Sequence, residues 1–223
     1  MANLNASRWG KGLGTASGTF STARTSNATS FAANPTNSVS EAVYYNQTGR
    51  GDTTFNRVFY YFDTSLISGV VSSVTLNILG ASSGNDGDAI VVKSTAFGGD
   101  GSADMVASDH PLVTYGTPYS SEVTSWTTGG NNAVSLNSTA DSDIQNNDFL
   151  IVCLINHDND YSNVEAGSST QHENGINFGT TAYLTYTETS SGYTHDIIGL
   201  AAASISKVNS VATANIGKIN TLD

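Results

Sequence analysis

Cysteine occurs once in these 223 residues, proline three times, and lysine and arginine together only eight times. A single thiol, Cys153, excludes an internal disulfide, so no covalent staple holds the fold. Cys153 lies within Phe149–Ile155 (FLIVCLI). It reads as a small buried hydrophobe, because apolar burial raises a thiol pKa and makes a poor nucleophile. No apolar run approaches the ~20 residues that a membrane-spanning helix needs. The first twenty residues also lack the apolar centre of a secretory signal. A chain made in a cytoplasm, with no membrane partner, is the expectation.

Basic residues are missing where a nucleic acid would need them. From Ser94 to Ser206 there is no Lys or Arg but there are thirteen Asp and Glu, and the net charge is −11. Residues 1–40 carry Arg8, Lys11 and Arg24 and no acid before residue 41, and Lys207 and Lys218 return near the other end. Neutralising phosphates takes Lys and Arg, so no nucleic-acid partner is expected for the body. The asymmetry has two readings. One is an acidic, soluble surface with sparsely charged ends. The other is basic ends that dock on acidic bodies of neighbouring copies.

What the chain does have is strand and turn chemistry. Asn56–Gly80 opens on Val58-Phe59-Tyr60-Tyr61-Phe62, turns through Asp63-Thr64-Ser65 and Ser68-Gly69, and closes on Val74, Leu76 and Ile78. That spelling predicts two strands joined by a short connection, with Val74, Leu76 and Ile78 on a core face and Thr75 and Asn77 outward. Further strands are predicted at Ala42–Tyr45, Ala89–Lys93, Ala133–Leu136 and Ala182–Thr187, with a strand or bend over Ser120–Thr127. Phe149–Ile155, continuously apolar, is expected to be a central strand buried on both faces. Strands at this spacing, with turn clusters between them, indicate an all-β, two-sheet sandwich of jelly-roll type.

The domain layout follows composition. Residues 1–38, rich in Gly, Ser, Thr and Asn, cannot build a core of their own and are expected to be an extended arm, with Trp9 its anchor. Residues 39–187 form the sandwich, 188–196 a linker, and 197–223 a tail. The tail holds an eleven-residue repeat, Ala-x-Ile-x-Lys-(Val/Ile)-Asn-x-(Val/Leu), starting at Ala203 and again at Ala214. Two copies bury too little to stand alone, so Ile205, Lys207, Val208, Ile216, Lys218 and Ile219 are expected to dock on something else.

Few residues are arranged for chemistry. There is no GxSxG elbow, P-loop or GxGxxG, and the expectation is a protein without catalytic residues. Asp158-Asn159-Asp160 with Asn163, and Asn85-Asp86 with Asp88, place oxygens at the alternate spacing that hard cations use. Asp158 and Asp160 are the pair expected to hold a structural calcium, the only cofactor considered. His110, His157, His172 and His195 show no metal-binding spacing, so no zinc site is expected. Tyr115, Tyr119 and Tyr161 lie in or beside predicted loops, where exposed rings could bind a glycan. Trp126 is expected to fill the core instead.

The segment carrying Arg57, Phe59, Phe62, Asp63, Ser65, Ile67, Val74, Leu76 and Ile78 spells Arg-x-Phe-x-x-Phe-Asp-x-Ser-x-Ile, a turn, and x-Leu-x-Ile. This resembles the jelly-roll modules of the carbohydrate-binding DNRLRE-like group, a pattern that recurs in structural proteins of bacteriophages. The Lys-Val-Asn repeat is similar to tails found on such proteins. The resemblance implies a non-enzymatic surface protein of a virion, either a capsid decoration or head fibre or a tail-fibre component. Its partners would be other virion proteins, copies of itself and a host glycan. The alternative that it implies is a stand-alone carbohydrate-binding or adhesin module.

Overall fold

A computed structural model describes residues 1–16, 19–34, 43–47, 52–83, 87–111, 113–166, 172–189, 207–208 and 211–212. The strands are β1 (Ala2–Asn5), β2 (Arg8–Ala16), β3 (Ser30–Ala33), β4 (Val43–Gln47), β5 (Thr53–Asp63), β6 (Val70–Ser83), β7 (Ala89–Ser94), β8 (Val113–Pro118), β9 (Asn131–Ser135), β10 (Phe149–Asn156), β11 (His172–Thr189), β12 (Lys207–Val208) and β13 (Val211–Ala212). Among the described residues, two short α-helices interrupt them, α1 (Phe20–Thr25) and α2 (Ser138–Asn146). The fold is all-β, as the alternating pattern predicts.

Every strand pairing is antiparallel. Eleven strands form one continuous ladder whose main path runs β8-β7-β10-β5-β4-β11-β6-β9, and β12 and β13 form a separate hairpin. β5 organises the path. One of its edges carries β2 along Thr53–Tyr61, while the other is shared by β4 at Thr53–Asn56 and β10 at Val58–Asp63. β4 bonds β5 on one side and β11 on the other. The ladder thereby passes from a β8-β7-β10-β5-β2-β3 layer to a β9-β6-β11-β1 layer without a break, in a sandwich-like arrangement.

Period-2 alternation then decides what is buried. Val58, Tyr60 and Phe62 of β5, with Val91 of β7 and Leu150, Val152 and Leu154 of β10, meet Val74, Leu76 and Ile78 of β6 and Leu184 of β11 in the main core. Each such side chain contributes about 1.5–3 kcal/mol relative to exposure. The alternate residues Phe59, Ile90, Val92, Ile151, Cys153 and Ile155 face the other way, under Phe97 and Met105. β10 is thus buried on both sides, as its unbroken apolar run predicts. Asn77 departs from expectation. Although it is off the core face, it is buried, hydrogen-bonded to Asn131 and Thr185 of flanking strands.

Residues 2–16, expected as an arm, run as β1 along β11 and as β2 along β5 of the same chain. Trp9 packs against the main core. Their close fit comes from Gly10, Gly12 and Gly14, at every second position of β2. A Cβ on Gly10 would meet the Met105 sulfur, and one on Gly14 would meet the His110 ring and the Ala23 carbonyl. Alternate glycines open one face of the strand to another segment. Arg8 of β2 pairs with Asp104 and Arg24 of α1 with Asp160, both within the chain.

α2, not foreseen in the sequence, starts where the Asn137 side chain accepts from the amides of Thr139 and Ala140, a sound N-cap. It lays Ala140 and Ile144 on the main core. β11 extends to Thr189, into the stretch expected to begin the linker. In the tail, Lys207 and Val208 lie in β12, whereas Ile205, Ile216, Lys218 and Ile219 lie outside the described residues. Among the described residues, no helix is long and apolar enough to cross a membrane.

Candidate functional site

Among the described residues, Arg57 is the largest fully buried side chain. A guanidinium in such a place must find partners for all its N–H groups, and this one does. Nε donates to Asp160 Oδ2 at 2.7 Å and NH2 to Asp160 Oδ1 at 2.8 Å, a bidentate pair. NH1 donates to the His110 carbonyl at 2.6 Å, and NH2 also reaches the Arg24 carbonyl at 2.8 Å and the Tyr115 hydroxyl at 2.5 Å. Burial works against the charge, but Asp160 more than offsets it, and the Arg57 pKa ends above its ordinary value.

Four separate stretches are tied here: α1 through Arg24, β5 through Arg57, β8 and the segment leading into it through Tyr115 and His110, and the turn after β10 through Asp160. Arg24 donates from Nε to the Asp160 carbonyl at 2.7 Å, and its guanidinium lies 3.8 Å above the Tyr115 ring. His110 sits between Ser26 and Phe55, with Nδ1 3.0 Å from one carbonyl oxygen and Nε2 3.3 Å from the other. Its pKa is pushed down to about 4, first by burial and then by the adjacent Arg57 charge. The imidazole is therefore neutral at pH 7. The polar groups of this knot bond to one another across these stretches, which makes it a latch that ties them together.

The knot corrects several expectations. Asp160 is buried in the arginine pair, so it is not a calcium ligand beside Asp158, which is exposed. The five-residue π-helical turn His157–Tyr161 separates their environments. Tyr115 is no free glycan platform, since its ring lies under Arg24 and its hydroxyl contacts Arg57. Burial, then Asp160, raises its pKa. Tyr119 is 1% exposed, and its hydroxyl donates to Asp143, which also accepts from Lys93 Nζ at 2.9 Å. Tyr161 is partly exposed and stacks on His157. Trp126 packs on the main core and donates from Nε1 to the Gly87 carbonyl at 2.5 Å. His110, read as a loop histidine, is completely buried.

At the far end of β10, Asp88 comes beside the turn His157–Tyr161, while Asn85 and Asp86 lie outside the described residues. Ala89 of β7 pairs with Asn156 of β10, and the Asp88 carbonyl accepts from the His157 amide and the Asn156 side chain. The side chains of His157, Asp158 and Glu122 gather there, with Nδ1 of His157 3.0 Å from Glu122 Oε1 and 3.1 Å from Asp158 Oδ1. Glu122 was not foreseen, because nothing local marks a glutamate 35 positions before a histidine as its neighbour. Elsewhere a small groove of about 130 Å³ lies between β2 and β3, lined by Lys11, Leu13, Phe31 and Asn56. No family model matches the chain, and no curated protein matches it either.

Proposed function

We propose that this chain is a non-enzymatic structural protein of a bacteriophage particle, displayed on its surface as a capsid decoration, head-fibre or tail-fibre component, and that its body is a jelly-roll sandwich. One observation carries the reading. Arg57, Phe59 and Phe62 of the Arg-x-Phe-x-x-Phe-Asp pattern are spent on the interior, with Phe59 and Phe62 filling opposite faces of β5 and Arg57 held by buried partners, while Asp63 at the end of the strand is exposed. The polar groups of the knot hold α1 and its flanking strands to the body, which suits a component whose task is to persist. The repeat-bearing tail is the attachment device, with other virion proteins and copies of the chain as partners.

A stand-alone glycan-binding module draws less support, because the Tyr119 hydroxyl is engaged by Asp143 and Tyr115 lies beneath Arg24. The two readings separate in one experiment. The full chain and a chain ending at Thr189 are compared by sedimentation, by association with particles and on a glycan array. Assembly or particle binding by the full chain alone upholds the virion role. Monomers of both lengths that bind the same glycan equally well refute it in favour of the binding module.

A further inference from the structure

The corner formed by Glu122, His157 and Asp158 has an unusual charge balance. Two carboxylate oxygens lie within hydrogen-bond distance of the same imidazole nitrogen, Nδ1. That nitrogen carries at most one hydrogen, so the two anions compete for a single donor. Among the described residues neither carboxylate is paired with a lysine or arginine, and the sequence supplies none from Ser94 to Ser206. Even a protonated imidazole leaves one negative charge over.

The three groups are also held in place. The His157 ring stacks on Tyr161, centroids 5.6 Å apart and planes at 23°, and its amide is bound to the Asp88 carbonyl. Glu122 precedes Val123, whose backbone exchanges two hydrogen bonds with Ala89 at 2.8 and 3.0 Å. Asp158 follows His157 directly in the π-helical turn. The three ligand atoms lie within 4.8 Å of one another. A metal at roughly 2.0–2.2 Å from each nitrogen or oxygen donor fits a cluster of that size.

We propose that Glu122, His157 through Nδ1, and Asp158 bind one divalent transition-metal ion of the zinc, manganese or nickel type. The ion takes the place of the contested proton and supplies the positive charge that the corner lacks. An imidazole nitrogen among the donors selects such metals over calcium, which prefers an all-oxygen shell. The bound ion pins the loop after β8 to the turn after β10. Its role is structural, clamping two loops at the end of the sheet.

The test uses the full chain, stripped of metal with a chelator and titrated with zinc by calorimetry. The expected result is one tight equivalent, a raised melting temperature, and at least about tenfold weaker binding in each of E122Q, H157Q and D158N. Glu122 and Asp158 are exposed and His157 is partly exposed, so the metal-free variants should melt at nearly the parent's temperature. Zinc binding that survives any one of the three substitutions overturns the three-ligand site, as does the absence of a tight equivalent. Displacement of zinc by an equal concentration of calcium also overturns it.

Discussion

Asp160→Ala is the most revealing single change in this protein. It deletes the carboxylate that holds both Nε and NH2 of Arg57 and leaves Arg24 and Arg57 side by side without a counter-ion. Neither guanidinium can discharge itself, so the unpaired charge must stay buried or drag water inwards. Breaking one side of a buried ion pair costs about 3–5 kcal/mol. Against a total stability of roughly 5–15 kcal/mol, that is a large share. Urea unfolding at pH 7, read as a shift in midpoint at constant slope, measures it directly. Hydrogen exchange should show the loss of protection spreading through α1 and β3, which Arg24 helps to hold. The exposed pair of Arg8 with Asp104 is the internal control, and Asp104→Ala should cost less than about 1 kcal/mol. A cost below about 1 kcal/mol for Asp160→Ala would refute the argument that the buried pair is essential.

His110 gives a pH prediction. Its folded pKa of about 4 lies below the ordinary 6.5, so the unfolded chain takes up a proton that the folded chain refuses. Stability should therefore be full above pH 6.5 and fall by about 3 kcal/mol as pH drops towards 4, a slope that His110→Gln should flatten in pH-dependent urea melts. On β2, Gly14→Ala should destabilise by about 1–3 kcal/mol and Gly10→Ala by less, measured by thermal melting. The first meets a ring and, at 2.9 Å, the Ala23 carbonyl, whereas the second meets chiefly the unbranched Met105 side chain, with the Ala32 carbonyl farther off at 3.1 Å. Cys153, fully buried with its thiol pKa raised by that burial, should resist iodoacetamide in the native protein and react stoichiometrically once denatured, as mass spectrometry would show.

Much of the scaffold was legible because strand periodicity is a local signal. Val74, Leu76 and Ile78 announce their face by alternation, and Phe149–Ile155 announces its double burial by having none. The knot was not legible, since Arg57 and Asp160 are 103 positions apart and an aspartate in an Asp-Asn-Asp turn looks the same whether it awaits a cation or meets an arginine. Tyr119 misled for a related reason. It follows Pro118 in a region without strand periodicity, but its backbone amide bonds Val91 and turns the ring inwards. The first sixteen residues carried a readable clue, the alternation Trp-Gly-Lys-Gly-Leu-Gly over residues 9–14. A composition too poor to build a core is sufficient to cover one.

The pairing of β1 with β11 fixes how the protein would bear a load. Ala2 stands opposite Tyr186, and the two strands run in opposite directions. Ala2 therefore lies near the Thr189 end of β11, at the pole of Asp63 and Phe149. The carboxylate–imidazole corner lies at the other pole, one β10 length or about 25 Å away. Tension between Ala2 and Thr189 would open β1 from β11 one pair of hydrogen bonds at a time, like a zip, and would yield at low force. Tension between Ala2 and the opposite pole would instead load the four pairs of β1 against β11 along the strands, with the nine pairs of β2 against β5 behind them. A pull along the strands, between the pole of Ala2 and the far pole, is thus the direction in which this molecule is mechanically strong.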